Sequence, residues 1–442
     1  VPPETGHERT THPPVRLAHL GLGAFHRAHQ AWYTHRANLA AAGLNGEAGG
    51  SDGGSGAASV GSAAGWGIAA FTGRRPDAAA ALAAQDGVYT LVERDADGDR
   101  AEVVESIVAA YDGADASHWH AVLADPAVGV LTTTITEGGY RGDAPARIAS
   151  GLAARRAAGA GPIAIVACDN LRGNGALLRD AVLAAAAEAG PDTSAADSSG
   201  RDEGLAPWIA ANVSFVDTVV DRITPATTDA DRDAVRALTG ADDPMAVVAE
   251  PFSEWILAGR FPAGRPAWEL AGARFVDDLE PYEQRKLWLL NAAHSLLAYA
   301  GRPLGFETVD AAFADPALRA RVEALWGEQR AVIDLPAREV DDAVAALRRR
   351  FANPRIRHSL EQIGRDGTFK LPPRILDPLE RRRAAGLPDG VEQLRVLADW
   401  AAYVERFGPT DEPSRRLAAE TSEASDIIAL LSQPTLTPGG TP

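Results

Sequence analysis

The feature that most constrains this chain is a change of period partway along it. Up to about residue 280, short apolar runs alternate with Ala-rich helical stretches; beyond it, long helical patterns follow one another. Residues 15–20 (VRLAHL), 67–71 (GIAAF), 128–134 (VGVLTTT), 163–168 (IAIVAC) and 212–216 (NVSFV) read as buried strands. Helical patterns such as 144–157 and 176–189 lie between several of them. Strand and helix in alternation predict an α/β domain with a mainly parallel sheet covered on both faces. Residues 283–300, 316–329, 339–351 and 391–404 read as helices with no clear strand between them, the second opened by Asp315 and Pro316 in cap-then-proline order. The expected organisation is an α/β domain over 15–280, a mostly α-helical domain over 281–432 and a disordered tail over 433–442. Stretches 45–65 and 190–204, rich in Gly, Ser, Ala and Asp, read as flexible insertions whose ordering entropy burial cannot offset.

Composition narrows the function. The 442 residues carry 43 Lys and Arg against 60 Asp and Glu, a formal charge of −17. Such a chain repels phosphate backbones and anionic bilayers, so neither nucleic acid nor membrane is expected as a partner. The single cysteine, Cys168, excludes an intrachain disulfide framework and a Cys-rich metal centre. Residues 1–14 lack the apolar core of a signal peptide and no apolar run is long enough to span a bilayer, so the expected location is cytoplasmic.

The first predicted strand runs into Gly21-Leu22-Gly23-Ala24-Phe25-His26. In a dinucleotide site the first glycine permits a tight turn, the second lets a diphosphate approach the backbone, and the following helix start supplies amide donors. Here His26 replaces the usual third glycine, and an ordinary strand-to-helix turn is the plainer alternative. The second strand is followed by Thr72-Gly73-Arg74-Arg75, with no acid at its tip for the adenosine ribose. Arg74 or Arg75 can pair with a 2′-phosphate or stack on adenine; a solvated turn explains them equally well.

A second concentration of polar chemistry opens the helical half, Glu283 to His294. At about 100° per residue, with Lys286 at zero, Glu283 falls near 60°, His294 near 80° and Asn291 near 140°. One arc carries an acid, an amine, an amide and an imidazole among Leu287, Trp288, Leu289 and Leu290, so the helix is expected to be buried. Burial makes a lysine easier to deprotonate and hence a usable base. A Glu283–Lys286 ion pair with core roles for Asn291 and His294 is the alternative. Two loops follow predicted strands at their carboxyl ends, where open α/β sheets bind ligands. They are Thr136-Glu137-Gly138-Gly139-Tyr140 and Cys168-Asp169-Asn170 with Asn174-Gly175. Asn170 can be an amide donor into the cleft; Asp169 and Asn174 can be plain turn or cap residues.

Taken in order, the glycine turn through Gln30, the 136–140 and 168–175 loops, Asp221-Arg222-Ile223-Thr224-Pro225, Lys286 with Asn291 and His294, and residues 351–372 resemble one family. It is the polyol-specific long-chain dehydrogenases, the mannitol 2-dehydrogenase and fructuronate reductase family, and the resemblance spans roughly residues 15 to 430. The resemblance implies a Rossmann-type N-terminal domain, a mostly helical C-terminal domain and an active site in the cleft between them. It implies metal-independent hydride transfer between a polyol or sugar acid and NAD, with NADP as the alternative. It also implies Lys286 as general base, Asn170 and Asn291 as an oxyanion-type hole, His294 as substrate orienter and Glu283 as proton relay. Gly21, Gly23, Ala24, Phe25, Arg74 and Glu137 are the implied cofactor contacts, and Asp221, Gln362 and Lys370 the implied substrate contacts.

Two departures matter. Gly73, Arg74 and Arg75 stand where mannitol-type members carry an acid near the ribose, which puts strict NAD preference in doubt. Gln362 stands where an arginine is expected in those members. The string from His358 to Lys370 looks closer to the uronate-reducing branch, whose carboxylate substrate wants a cation such as Lys370 or a nearby arginine. The expected protein is a monomer or weak homo-oligomer acting on a small molecule. Two alternatives remain: a zinc-dependent alcohol dehydrogenase, since His26 and His29 have ligand-like spacing, and a nucleotide-sensing protein that has lost catalysis.

Overall fold

The computed structural model describes residues 9–48, 65–73, 76–188, 204–409 and 411. Two compact units divide the chain, one ending at Leu279 and the other beginning at Glu280. The described residues of the first hold strands β1 (Val15–Leu20), β2 (Gly67–Phe71), β3 (Tyr89–Asp95), β4 (Gly98–Val104), β5 (Ile107–Tyr111), β6 (Val130–Thr133), β7 (Ile163–Ala167), β8 (Val213–Asp221), β9 (Val247–Ala249), β10 (Glu254–Ala258) and β11 (Arg274–Phe275). Eight of them form one sheet in the order β11-β10-β8-β7-β6-β1-β2-β5. From β5 to β8 every neighbouring pair is parallel, and β10 then runs antiparallel to β8. A smaller sheet, β4-β3-β9, pairs β3 antiparallel with β4 and parallel with β9.

Parallel neighbours need crossover connections, and the helices Gln30–Ala48, Ala116–Ala124, Asp143–Ala157 and Asn174–Glu188 lie on them. Both faces of the sheet are consequently buried, and its side chains divide with a period of two. Leu17, Ile68, Ala70, Val130, Ala164 and Val166 enter one core; Ala18, Ala69, Phe71, Leu131, Ile165 and Ala167 enter the other. Burying a branched or aromatic side chain in this way stabilises by about 1.5–3 kcal/mol. Strand order reverses at β1, which lies between β2 and β6, so the ligand crevice of such a sheet opens beyond the carboxyl ends of these strands.

The structure corrects several boundaries. The strand expected at 212–216 runs from Val213 to Asp221, and β3, β4, β5, β9, β10 and β11 have no counterpart in the sequence reading. Gly98–Val104 (GDRAEVV) carries too many charges to signal a buried strand, and β9 and β11 are too short to show a period. The insertion placed at 45–65 starts too early, because the helix continues through Ala48. The rest of that insertion, most of the second and the tail 433–442 lie outside the described residues.

The loop that launches β7 depends on one side chain. Arg155 is fully buried, and its guanidinium donates to the carbonyls of Leu123, Asp125, Ala160, Gly161 and Pro162 at 2.8–3.3 Å. It joins the end of the Ala116–Ala124 helix to the turn before β7 without a paired carboxylate.

In the second unit the described residues are helical apart from one isolated bridge between Thr308 and Ser359. The segment from Glu280 to Gly301 stays helical throughout and is packed by Trp326, Phe351, Trp400 and Tyr403. The cap at Asp315 forms as expected, its carboxylate accepting from the N–H groups of Ala317 and Leu318 at 2.9 Å. No helix among the described residues is long and apolar enough to cross a membrane.

Replacing Arg155 by Met keeps much of the volume but strands several buried carbonyl acceptors. The expected loss is at least about 3 kcal/mol of unfolding free energy, read as a lower urea midpoint at unchanged m-value; an unchanged midpoint refutes the assignment.

Candidate active site

In the first unit, the glycine turn sits at the point where strand order reverses. Gly21 has φ of +109°, and a Cβ there would lie 2.3 Å from the carbonyl oxygen of Thr134. Only glycine fits both conditions. Its N–H and that of Leu22 donate to the Phe71 carbonyl at 2.9 Å, and the Thr134 hydroxyl donates to the Gly21 carbonyl at 2.7 Å. Gly23 is different: a Cβ there would meet nothing nearer than the Gly21 oxygen at 3.6 Å. Protein packing does not demand glycine at this position. The bare backbone instead leaves room for a bulky group, which is the fit a dinucleotide diphosphate requires. Ala24 and Phe25 open the helix Ala24–Ala28, with Phe25 stacked on His29 at 5.0 Å.

His26 occupies the third glycine position, where helix and strand must approach closely. A flat stack satisfies that requirement: the His26 ring lies 3.3 Å from that of His19 on β1, tilted by 9°. His29 is engaged elsewhere, its Nε2 facing the Glu254 carbonyl at 3.0 Å and its Nδ1 facing the Gln30 amide at 3.1 Å. The two histidines with ligand-like spacing thus have separate partners, and no group of three metal-ligating side chains comes together among the described residues.

The loops after β6 and β7 are tied together by Asp169. Its carboxyl accepts from the Ile135 N–H and from the Tyr140 hydroxyl. Burial pushes its pKa up to about 7, against the pull of these two donors, and raises that of the Tyr140 phenol as well. Asn174 fastens the second loop to β8: its amide donates to the Asp169 and Thr218 carbonyls and accepts from the Thr218 N–H, all at 2.9 Å. Gly175 must be glycine, because a Cβ would sit 2.8 Å from the backbone of Val216 and Asp217. Asn170, on the loop so fixed, is exposed. Glu137 opens the turn Glu137–Arg141. Asp221 ends β8 opposite Glu254 on β10. The next residue, Arg222, is buried and donates to the Ala28 carbonyl at 2.7 Å and to Glu93 at 2.7 Å. Arg74 lies outside the described residues.

In the second unit, Glu283, Lys286, Asn291 and His294 share the Glu280–Gly301 helical segment, but not as a uniform α-helix. Lys286–Asn291 is wound as a π-helix, and the Ala292 N–H donates to the Leu287 carbonyl five residues back. On a uniform wheel Lys286 and Asn291 diverge by about 140°; an i→i+5 turn brings residue 291 back towards the side of residue 286. Outside donors meet the carbonyls of this widened stretch: Trp326 Nε1 reaches Leu289 O at 2.8 Å, and Arg374 reaches Asn291 O at 3.4 Å and Ser295 Oγ at 3.1 Å. Lys286 is half-buried, less enclosed than the sequence implied, because Trp288, Leu289 and Leu290 occupy the core side.

His294 is buried, stacked on Phe351 at 4.9 Å and edge-on to His358 at 4.8 Å. Its Nε2 has no hydrogen-bond partner among the described residues. Burial first, and then His358, Arg350 and Arg374, hold its pKa well below the usual imidazole range, so the ring is neutral. Lys370 donates to the Ile363 carbonyl at 3.2 Å, whereas Gln362 is exposed. Arg350, His358 and Arg374 escaped the sequence reading because their gathering around His294 joins distant segments. The π-turn left one trace, the five-residue spacing from lysine to asparagine.

A reversing parallel sheet with a diphosphate-sized glycine turn, joined to a helical unit bearing a lysine, an amide and a neutral imidazole, defines a two-domain, dinucleotide-type oxidoreductase. The mannitol dehydrogenase Rossmann domain model matches residues 15–270, and the mannitol dehydrogenase C-terminal domain model matches residues 278–430. The chain is 35% identical to the D-arabinitol 4-dehydrogenase of Ralstonia nicotianae, over 92% of this chain and 89% of that protein. It is 34% identical to the D-mannonate oxidoreductase of Escherichia coli, over 94% and 87%. The solved Pseudomonas fluorescens mannitol 2-dehydrogenase ternary complex with NAD and D-mannitol superposes with a TM-score of 0.71 at 32% identity, covering 96% of this chain and 85% of that one. The chain belongs to the mannitol dehydrogenase family of oxidoreductases.

Asp169 generates a pH prediction. Between about pH 4 and 7 the folded chain keeps a proton that the unfolded chain releases, so this group's contribution to stability falls as pH rises through that window and is gone above it. Carboxyl carbon NMR is expected to show a titration near pH 7 that disappears in Asp169→Asn; a titration near 4 refutes the placement.

Proposed function

We propose that this protein interconverts an open-chain polyol or sugar acid and its keto form, with NAD as cofactor and NADP as the alternative. The observation that carries the reading is the π-turn, which brings Asn291 back towards the side of Lys286 on a helix whose next polar group is the neutral His294, its Nε2 without a hydrogen-bond partner among the described residues. NAD supplies the hydride acceptor when bound. Gly21, Gly23, Ala24 and Phe25 would hold its diphosphate against the helix start, with Glu137 on the neighbouring loop. Arg74 remains a candidate for the adenosine end.

The remaining chemistry belongs to side chains. A secondary alcohol loses hydride readily only as its oxygen becomes anionic, so an amine must take the hydroxyl proton, and Lys286 Nζ fills that role. The amide N–H groups of Asn170 and Asn291 hold the developing charge, each such donor being worth about 3–4 kcal/mol. His294 Nε2, lacking a hydrogen-bond partner among the described residues, is available to a substrate hydroxyl. Glu283, one turn before Lys286, passes the proton towards solvent. Asp221 and Lys370 position the rest of the substrate, with Gln362 at the rim. No metal takes part in this scheme. Of the zinc reading's candidates, His29 is hydrogen-bonded through both ring nitrogens and His26 is buried in its stack on His19, and EDTA is expected to leave turnover unchanged. The enzyme acts in the cytoplasm as a monomer or weak homo-oligomer.

Between the two substrate classes, the cations around His294 favour a sugar acid, whose carboxylate Arg350, Arg374 or Lys370 can pair with. Nicotinamide absorbance with D-fructose, D-fructuronate, D-mannitol and D-mannonate separates them, and oxidation of mannonate over mannitol is expected. Lys286→Ala is expected to lower kcat by about 10²–10⁴-fold while NADH still binds. A variant that keeps its function removes the general base and revives the sensor reading. Gly23→Ala is expected to fold with wild-type stability yet bind NADH at least about tenfold more weakly, which by affinity arithmetic is about 1.4 kcal/mol. Undiminished binding places the diphosphate elsewhere.

A further inference from the structure

The stacked imidazoles beneath the glycine turn have a consequence for cofactor binding that their packing role does not exhaust. His19 is held on both sides: its Nδ1 faces Thr132 Oγ1 at 2.8 Å and its Nε2 faces Thr134 Oγ1 at 3.2 Å. The same Thr134 hydroxyl donates to the Gly21 carbonyl. His26 lies flat on His19, is completely buried, and neither of its ring nitrogens has a hydrogen-bond partner among the described residues. The ring thus has no hydrogen bond that would hold it in place if the stack parted.

We propose that the His19–His26 stack is a positioning device for the dinucleotide turn that holds only while both rings are neutral, so that cofactor affinity falls in mild acid while the fold persists. This rests on the reading of Gly21–Gly23 as the diphosphate site.

The surroundings compensate a proton on either ring only in part: contacts with Gly21 and Thr132 favour it on His19 and the Gln30 side chain favours it on His26, but both are outweighed by burial, and no acid is among the groups acting on either ring. From β1 comes His19 itself; from β6, the hydroxyls of Thr132 and Thr134; from the helix, Arg27, followed by His29 and Gln30; after β7, the neutral thiol of Cys168 beside Gln30. The charged groups acting on His26 are His19, Arg27 and His29, all cations when charged. Burial holds His19 near 3 and His26 well below the ordinary range. A state in which the rings have separated and met water regains the ordinary value of about 6.5. Below that pH the separated state therefore gains up to about tenfold in population per pH unit for each histidine. The apparent Kd of the cofactor rises once that state competes with the stacked one.

The test is direct binding of NADH and NADPH, read by quenching of tryptophan fluorescence from pH 8 to 5, with circular dichroism recorded on the same samples. The wild-type Kd is expected to be flat above pH 6.5 and to rise below it, with a slope approaching two protons, before helical signal is lost. His26→Phe keeps a flat, non-titrating ring. It is expected to bind the cofactor at pH 8 and to show, relative to its own Kd there, a slope of no more than one proton. Asp169, which titrates near neutrality, is common to both proteins and cancels in the comparison. A wild-type Kd unchanged to pH 5 overturns the proposal without any variant, as does an equal slope in His26→Phe, or a rise that only tracks unfolding. Failure to bind either nucleotide at pH 8 defeats the dinucleotide reading itself and is recognisable as such.

Discussion

Two backbone donors converge on one acceptor at the centre of the first unit. The N–H groups of Gly21 and Leu22 both reach the Phe71 carbonyl, so the chain leaving β1 is anchored to the end of β2, while the Thr134 hydroxyl anchors it to the segment after β6. β1 is the strand at which the sheet order reverses, and its two neighbours diverge beyond this point. The positive φ of Gly21, with its Cα against Thr134, keeps the carboxyl ends of three strands in one fixed relation. The loops carrying Asn170 and Glu137 start from the strands next in line, and Asp169 ties one to the other.

The second unit solves a different problem. A lysine and an asparagine five residues apart face different ways on an α-helix, and the widened turn that lessens this divergence disturbs the regular ladder of carbonyls. Trp326 and Arg374 donate to carbonyls of that stretch from elsewhere in the fold. A second π-helix, Pro372–Leu376, receives the same treatment: Trp288 donates to the Pro373 carbonyl and Gln329 to the Arg374 carbonyl. The two widened segments thus support each other, Trp288 reaching from the first to the second and Arg374 from the second to the first. Arg374 also helps, with burial, His358 and Arg350, to keep His294 neutral, so backbone support and site electrostatics share a residue.

Much of this was legible in the residues because it is local. The all-apolar strands announce a sheet buried on both faces, and their split between two cores follows from a period of two. The glycine turn, the Asp315 cap and the change to helix after residue 280 are likewise written in short windows. The polar β4, with Asp99, Arg100 and Glu102 among its seven residues, carries no such signal, and its place depends on pairing with β3. Nothing local marks Arg155, on an Ala-rich helix, as buried; the converging carbonyls of two segments, 123–125 and 160–162, make it so.

By itself, then, the sequence determined the class of fold, the position of the dinucleotide turn and the identity of the polar side chains on the Glu283–His294 stretch. Each of these depends on backbone sterics or on periodicity within a few residues. Tertiary structure alone decided that the turn between Lys286 and Asn291 widens, that His294 is neutral beside Arg350 and Arg374, that burial lifts the Asp169 pKa to about 7 and that His26 can replace a glycine by stacking on His19. Those outcomes depend on burial and on partners brought from distant segments, and burial is the term that moves a pKa or closes a ring stack.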